Sequence, residues 1–139
     1  MNKSKFTENL LLLIWTQALV ATIGSLFYSE LIGYVPCDLC WVQRIFMYPL
    51  VIIYGVAIVK KDMSTALSGL ILSSIGFFIS VYHYLLQKLP ALQDAGGMCQ
   101  IVPCNLQYVN YFGFITIPFL AGLAFLIISL LHIFILKQK

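Results

Sequence analysis

The chain has 139 residues, of which 61% are hydrophobic and only 9% charged, a balance far outside the range of water-soluble domains and a length that allows one domain at most. Eight Lys and Arg against five Asp and Glu leave a net charge of +3, divided among short connections, so a nucleic-acid-binding face has no support. The class that remains is an all-α membrane protein.

Four apolar runs are each about 20 residues long, which is what a helix needs to cross a hydrocarbon core of ~30 Å. They cover roughly Leu10 to Ser29, Trp41 to Val59, Ser64 to Leu86 and Gly113 to Leu136, so residues 1–139 are expected to form a single four-transmembrane-helix bundle. The first run follows a polar, basic start. It is too long for the apolar core of a signal peptide and lacks a convincing small-residue cleavage site, so it reads as an uncleaved span. Lys3 and Lys5 precede that run, Lys60 and Lys61 lie in the second connection, and Lys137 and Lys139 close the chain. Basic residues favour the cytoplasmic side, which predicts both termini inside. The loops from about Glu30 to Cys40 and Gln87 to Phe112 are then extracytoplasmic.

The mouth of the second span carries Pro36-Cys37-Asp38-Leu39-Cys40-Trp41-Val42-Gln43-Arg44. Pro36 suits a helix start, where its missing N–H would have no partner. Two thiols separated by two residues can close a disulfide within one helical turn, and a helix N-terminus favours the thiolate. Arg44 follows Cys40 by four residues and so shares its helical face one turn deeper. Its charge either stabilises an anion beside the dithiol or snorkels to the interface. Pro49, inside the same span, frees a carbonyl near Ile45 and predicts a kink, which fits a flat ligand between helices as well as simple packing tolerance.

The connection Lys60-Lys61-Asp62-Met63 is so short that the second and third helices must be antiparallel neighbours. In the third, Gly69, Ser73, Gly76 and Ser80 recur at offsets of four, three and four and form one close-packing stripe. His83 lies near its outer end between Tyr82 and Tyr84. It either hydrogen-bonds at the interface or, facing the bundle, contacts a ligand carbonyl or relays a proton. His132, near the cytoplasmic end of the last helix, reads as an anchor.

The second outer loop contains Ala95-Gly96-Gly97-Met98-Cys99-Gln100-Ile101-Val102-Pro103-Cys104. Its glycines restrict the backbone little, which suits a cysteine pair that passes a disulfide between partners. Tyr108, Tyr111 and Phe112 form an aromatic belt ahead of the last span. All four cysteines, Cys37, Cys40, Cys99 and Cys104, thus fall in two outer loops, an arrangement that chance would give about once in two hundred such chains. The outer face is the oxidising one.

Three readings of these cysteines compete. Static disulfides over such short loops would remove little unfolded-state entropy. A four-sulfur zinc site poorly matches the Cys-x4-Cys spacing, and the oxidising face disfavours it. A redox relay explains two pairs on one face, because exchange needs a thiolate attacking a disulfide. Electrons must then leave the relay. With no haem-like histidine pair across helices and no dinucleotide-binding glycine fingerprint, a lipid-soluble quinone is the natural acceptor.

These residues carry a resemblance to a known family. Pro36, Cys37, Cys40 and Arg44 opening the second of four helices, a second cysteine pair in the other outer loop, and His83, Leu86, Gln87 and Pro90 in a His-x-x-Leu-Gln segment followed by proline resemble the DsbB family of disulfide-forming oxidoreductases. The short second loop is most similar to its Gram-positive, BdbC-like branch. The resemblance implies a bacterial cell-membrane enzyme in which Cys37 and Cys40 form the quinone-linked pair, with Arg44 and His83 on the quinone side. It implies that Cys99 and Cys104 reoxidise an extracytoplasmic thioredoxin-like thiol oxidase resembling DsbA or BdbD. In the same scheme Cys99 takes the mixed disulfide and Cys104 joins Cys37, leaving the Cys40 thiolate facing menaquinone or ubiquinone. A surface helix that the long form places between its second pair has its counterpart at Leu89 to Gln93 or Leu106 to Tyr111, or is lost. The alternative from another class is a non-catalytic four-helix scaffold with inert loop disulfides.

Overall fold

The computed structural model describes residues 3–33, 38–62, 64–89, 110–113 and 115–138. Its frame is four long helices: α1 (Lys3–Leu26), α2 (Asp38–Lys60), α3 (Ala66–Lys88) and α4 (Ile117–Gln138). At 1.5 Å per residue each exceeds the ~30 Å hydrocarbon core, and all four are long and apolar enough to span a membrane. In lipid a spanning segment must satisfy its own backbone hydrogen bonds, so runs of this composition fold as helices. Large side chains such as Val59 (84% exposed) and Phe78 (70% exposed) point out of the bundle, where acyl chains solvate them without penalty.

The ends of the helices depart from the hydropathy pattern. α1 starts at Lys3, well before the apolar run, and its Glu8 reaches Lys61 of the α2–α3 connection at 3.7 Å. It passes at Leu26 into a π-helical turn, Phe27–Leu31, closed by Ile32 N–H donating to the Phe27 carbonyl at 3.2 Å. α2 begins at Asp38, so Cys40 lies in its first turn, and it continues through Pro49. The last helix begins at Ile117 and not near Gly113. Residues Asn110–Tyr111 and Ile115–Thr116 instead pair as two short antiparallel strands, β1 and β2. Phe112 and Gly113 adopt φ of 56° and 82°; this left-handed turn is incompatible with a helix start, and glycine enters it at no steric cost. Asn110–Tyr111 are extended, so a surface helix does not run through Tyr111, and residues 90–93 and 106–109, where it is expected, lie outside the described residues.

The α2–α3 reversal is as tight as its length requires. Asp62 N–H donates to the Ala57 carbonyl at 3.0 Å and Lys61 N–H to that of Ile58 at 3.3 Å. With Lys61 at φ 54°, this is a Schellman ending. The Asp62 carboxylate then accepts from the Ser64 N–H and hydroxyl, both at 2.9 Å.

α3 packs most extensively against α4, while α1 lies against both α2 and α4. The buried residues of α3 include Gly69, Ser73, Gly76, Ser80, His83 and Gln87, so the small-residue stripe faces the bundle. A Cβ on Gly76 would run into the Phe125 ring, and one on Gly122 would stand 3.3 Å from Ser80 Cβ. Ser129 donates to Ser73 Oγ at 2.9 Å across the same seam. Without a hydrophobic drive between helices in lipid, such backbone approach supplies much of the association energy.

Candidate functional site

Antiparallel threading brings Lys5, Lys60, Lys61 and Lys137 to one end of the bundle. The end of α1, the start of α2, the end of α3 and the β hairpin lie at the other. That second end holds the polar cluster. Cys40 is half-buried in the first turn of α2. Arg44 follows one turn deeper, about 9 Å along the axis from the helix start, and is only 9% exposed.

An arginine within a span is expensive, about 2.5–3.5 kcal/mol even where it is tolerated at the centre, and its neighbours must offset that. Here Nε donates to Ser25 Oγ at 2.9 Å, and Nη2 donates to the Ser25 carbonyl at 3.1 Å. The Trp41 ring covers one face of the guanidinium, with 5.0 Å between its centre and Cζ, a cation–π contact. Arg44 is therefore turned inward and clamped, which rules out snorkelling.

Gln43 projects beside Arg44 toward α3. Its Nε2 lies 3.0 Å from His83 Nδ1, with Gln43 5% and His83 1% exposed. An amide N–H donating to Nδ1 makes that nitrogen the acceptor and puts the ring proton on Nε2. Gln87, one turn beyond His83, is also buried. Leu39, Met47 and Leu86 supply buried apolar surface around these groups. The arrangement thus sets a guanidinium and an imidazole, on the two sides of adjacent residues of α2, at one end of the bundle.

Of the six residues singled out from the sequence, Cys40, Arg44 and His83 thus lie at one end of the bundle, Arg44 and His83 through adjacent residues of α2. Cys37, Cys99 and Cys104 lie outside the described residues, as do the Gly96–Gly97 segment and Tyr108. Two contributors escaped the sequence reading. Gln43 was detectable, because it lies three residues after Cys40 and shares its face. His83 and Gln87 also continue the offsets of the α3 stripe by three and four, which already pointed them inward. Ser25 offered no comparable signal, since its role depends on how α1 is rotated against α2.

His132 is not an interfacial anchor. It is fully buried in the inner half, where Nδ1 donates to the Ile128 carbonyl at 2.6 Å and its ring stands 5.1 Å from that of Tyr54.

The chain is similar to known proteins along nearly its whole length. The family described as Disulfide bond formation protein DsbB matches residues 7–135. A "Probable disulfide formation protein" of Oceanobacillus iheyensis is 63% identical over 98% of this chain and 94% of its own length. "Disulfide bond formation protein C" of Bacillus subtilis is 46% identical over 90% of this chain and 91% of its own. A "Probable disulfide formation protein C 1" of Bacillus anthracis is 47% identical over the full length of both. No solved structure matches the chain.

Proposed function

This chain belongs to the DsbB family of disulfide bond formation proteins, and on that premise we propose that it is the membrane quinone reductase that generates disulfides for secreted proteins. Residues 1–139 act as one integral membrane domain in the bacterial cell membrane. The lysine-rich end and both termini face the cytoplasm, and the cysteine loops face outward. The observation that carries the reading is the buried Arg44 guanidinium, held one turn beneath Cys40 and beside the Gln43–His83 pair.

In this reading the disulfide of Cys99 and Cys104 oxidises the dithiol of an extracytoplasmic thioredoxin-like thiol oxidase. Cys99 forms the mixed disulfide, and Cys104 then bridges to Cys37. That exchange releases Cys40 as a thiolate, which the start of α2 stabilises. Menaquinone or ubiquinone supplies the terminal acceptor of two electrons and two protons. Arg44 and His83 would hold its head group: the guanidinium offers fixed positive charge toward an oxygen, and the His83 imidazole a polar contact beside it. The partner's second thiol then displaces Cys99 and leaves with its disulfide closed, and Cys99 attacks Cys104 to re-form their bond and release Cys37. Cys37 and Cys40 close again as two electrons and two protons pass to the quinone, so each cycle converts two partner thiols to one disulfide and one quinone to its quinol.

Purified protein given a reduced thioredoxin-like oxidase and a soluble quinone tests this. Quinone absorbance is expected to fall in step with thiol loss, and Cys40→Ser is expected to abolish both. Thiols and quinone unchanged over hours would instead identify a non-catalytic membrane scaffold with inert loop disulfides.

A further inference from the structure

The guanidinium of Arg44 has five N–H donors in a fixed plane, and how many of them face a ligand depends on what holds the rest. Ser25 takes the side edge. Nε donates to its hydroxyl at 2.9 Å and Nη2 to its carbonyl at 3.1 Å. Trp41 closes one face at 5.0 Å. What remains is the end-on edge, formed by Nη1 and the second Nη2 hydrogen. Both partners on Ser25 come from one residue at the close of α1, two residues before the π turn at Phe27–Leu31 begins. A widened turn of this kind often marks a functional position. The hydroxyl and carbonyl of one residue can grip a fork only while the end of α1 keeps this rotation against α2.

We propose that Ser25 is a positioning residue: it locks the side edge of Arg44 so that the end-on edge alone is presented to the oxygen of a bound quinone. This rests on the assignment of Arg44 to the quinone side. Without the hydroxyl the carbonyl bond persists, but a single bond no longer fixes rotation about the last side-chain torsion. The guanidinium then spends part of its time turned from the ligand, and affinity falls. The same clamp disfavours ligands that need the side-on fork, such as a carboxylate bound through Nε and Nη2.

The decisive pair is Ser25→Val and Ser25→Thr, which have nearly the same shape and differ by one hydroxyl. The full-length protein in detergent is titrated with a short-chain menaquinone analogue, and separately with a short-chain ubiquinone. Binding is read from quenching of intrinsic tryptophan fluorescence, which requires no turnover, and KM and kcat are measured alongside. Ser25→Val is expected to weaken quinone binding and raise KM about five- to tenfold with kcat within about twofold, the scale of one ordinary hydrogen bond. Ser25→Thr is expected to bind as the parent does. In an Arg44→Ala background, Ser25→Val should add nothing, because there is no guanidinium left to orient. Equal affinity in the Val and Thr variants, or a full additional loss on top of Arg44→Ala, overturns the role of Ser25. If Arg44→Ala itself leaves binding unchanged, the assignment of Arg44 falls instead, so the two failures are distinguishable.

Discussion

The outer and inner halves of the bundle are built on the same stripe of α3 yet use it in opposite ways. In the inner half the stripe is small, and neighbours press onto its backbone. The Tyr54 hydroxyl and His132 Nε2 converge on Gly69, where a Cβ would meet both, the second at 2.6 Å. Neither of those buried atoms has a hydrogen-bond partner. In the outer half the stripe continues with His83 and Gln87, the helices meet through long polar side chains, and Gln43 and Arg44 are paired. Close approach onto small residues gives a rigid base, whereas a buried charge held by Ser25 and flanked by the Gln43–His83 pair gives a polar cluster. The polar cluster begins where the small residues stop.

The strongest way to break this contrast is Gly69→Ala. The added methyl collides with Tyr54 and His132 from two different helices, so a loss of about 2–3 kcal/mol is expected, within the usual range for overpacking. A lowered thermal midpoint in detergent would register it, and unchanged stability would show that the inner half is not tightly packed. Next comes Arg44→Ala, which should weaken quinone use about tenfold, or about 1.4 kcal/mol, while the fold persists. An unchanged KM for quinone would remove the charge from the chemistry.

Gln43→Met keeps volume but withdraws the donor from His83 Nδ1 in a buried setting, which costs about 1 kcal/mol. Thermal melts of this variant with and without His83→Leu would sharpen the comparison, since the penalty should shrink once the histidine is gone. The smallest effect is expected for Tyr54→Phe. Removing a buried hydroxyl with no partner should alter stability by no more than about 0.5 kcal/mol. In that background Gly69→Ala should be better tolerated, because the hydroxyl is the nearest obstacle to the new methyl. Equal penalties in both backgrounds would show that the Tyr54 ring and His132, both 2.6 Å from the added Cβ, set the limit.

Much of this arrangement could be read along the chain. Composition dictated a membrane protein, and apolar run length dictated four spans, because lipid admits only segments that satisfy their own backbone. The Cys40 to Arg44 spacing and the Gly69, Ser73, Gly76 and Ser80 offsets are local helical periodicity, which does not depend on the rest of the fold. The ends of elements were less legible. Polar residues from Lys3 onward joined α1, and the left-handed turn at Phe112–Gly113 delayed α4 until Ile117.

Pairings between helices belonged to the tertiary structure alone. Helices pack as nearly rigid rods, and each rod's rotation about its axis is set by all its neighbours together. That rotation put Ser25 against Arg44, Gln43 against His83, and His132 inside the bundle beside Tyr54. Spacing within one helix says which side chains share a face, but only packing decides what that face meets.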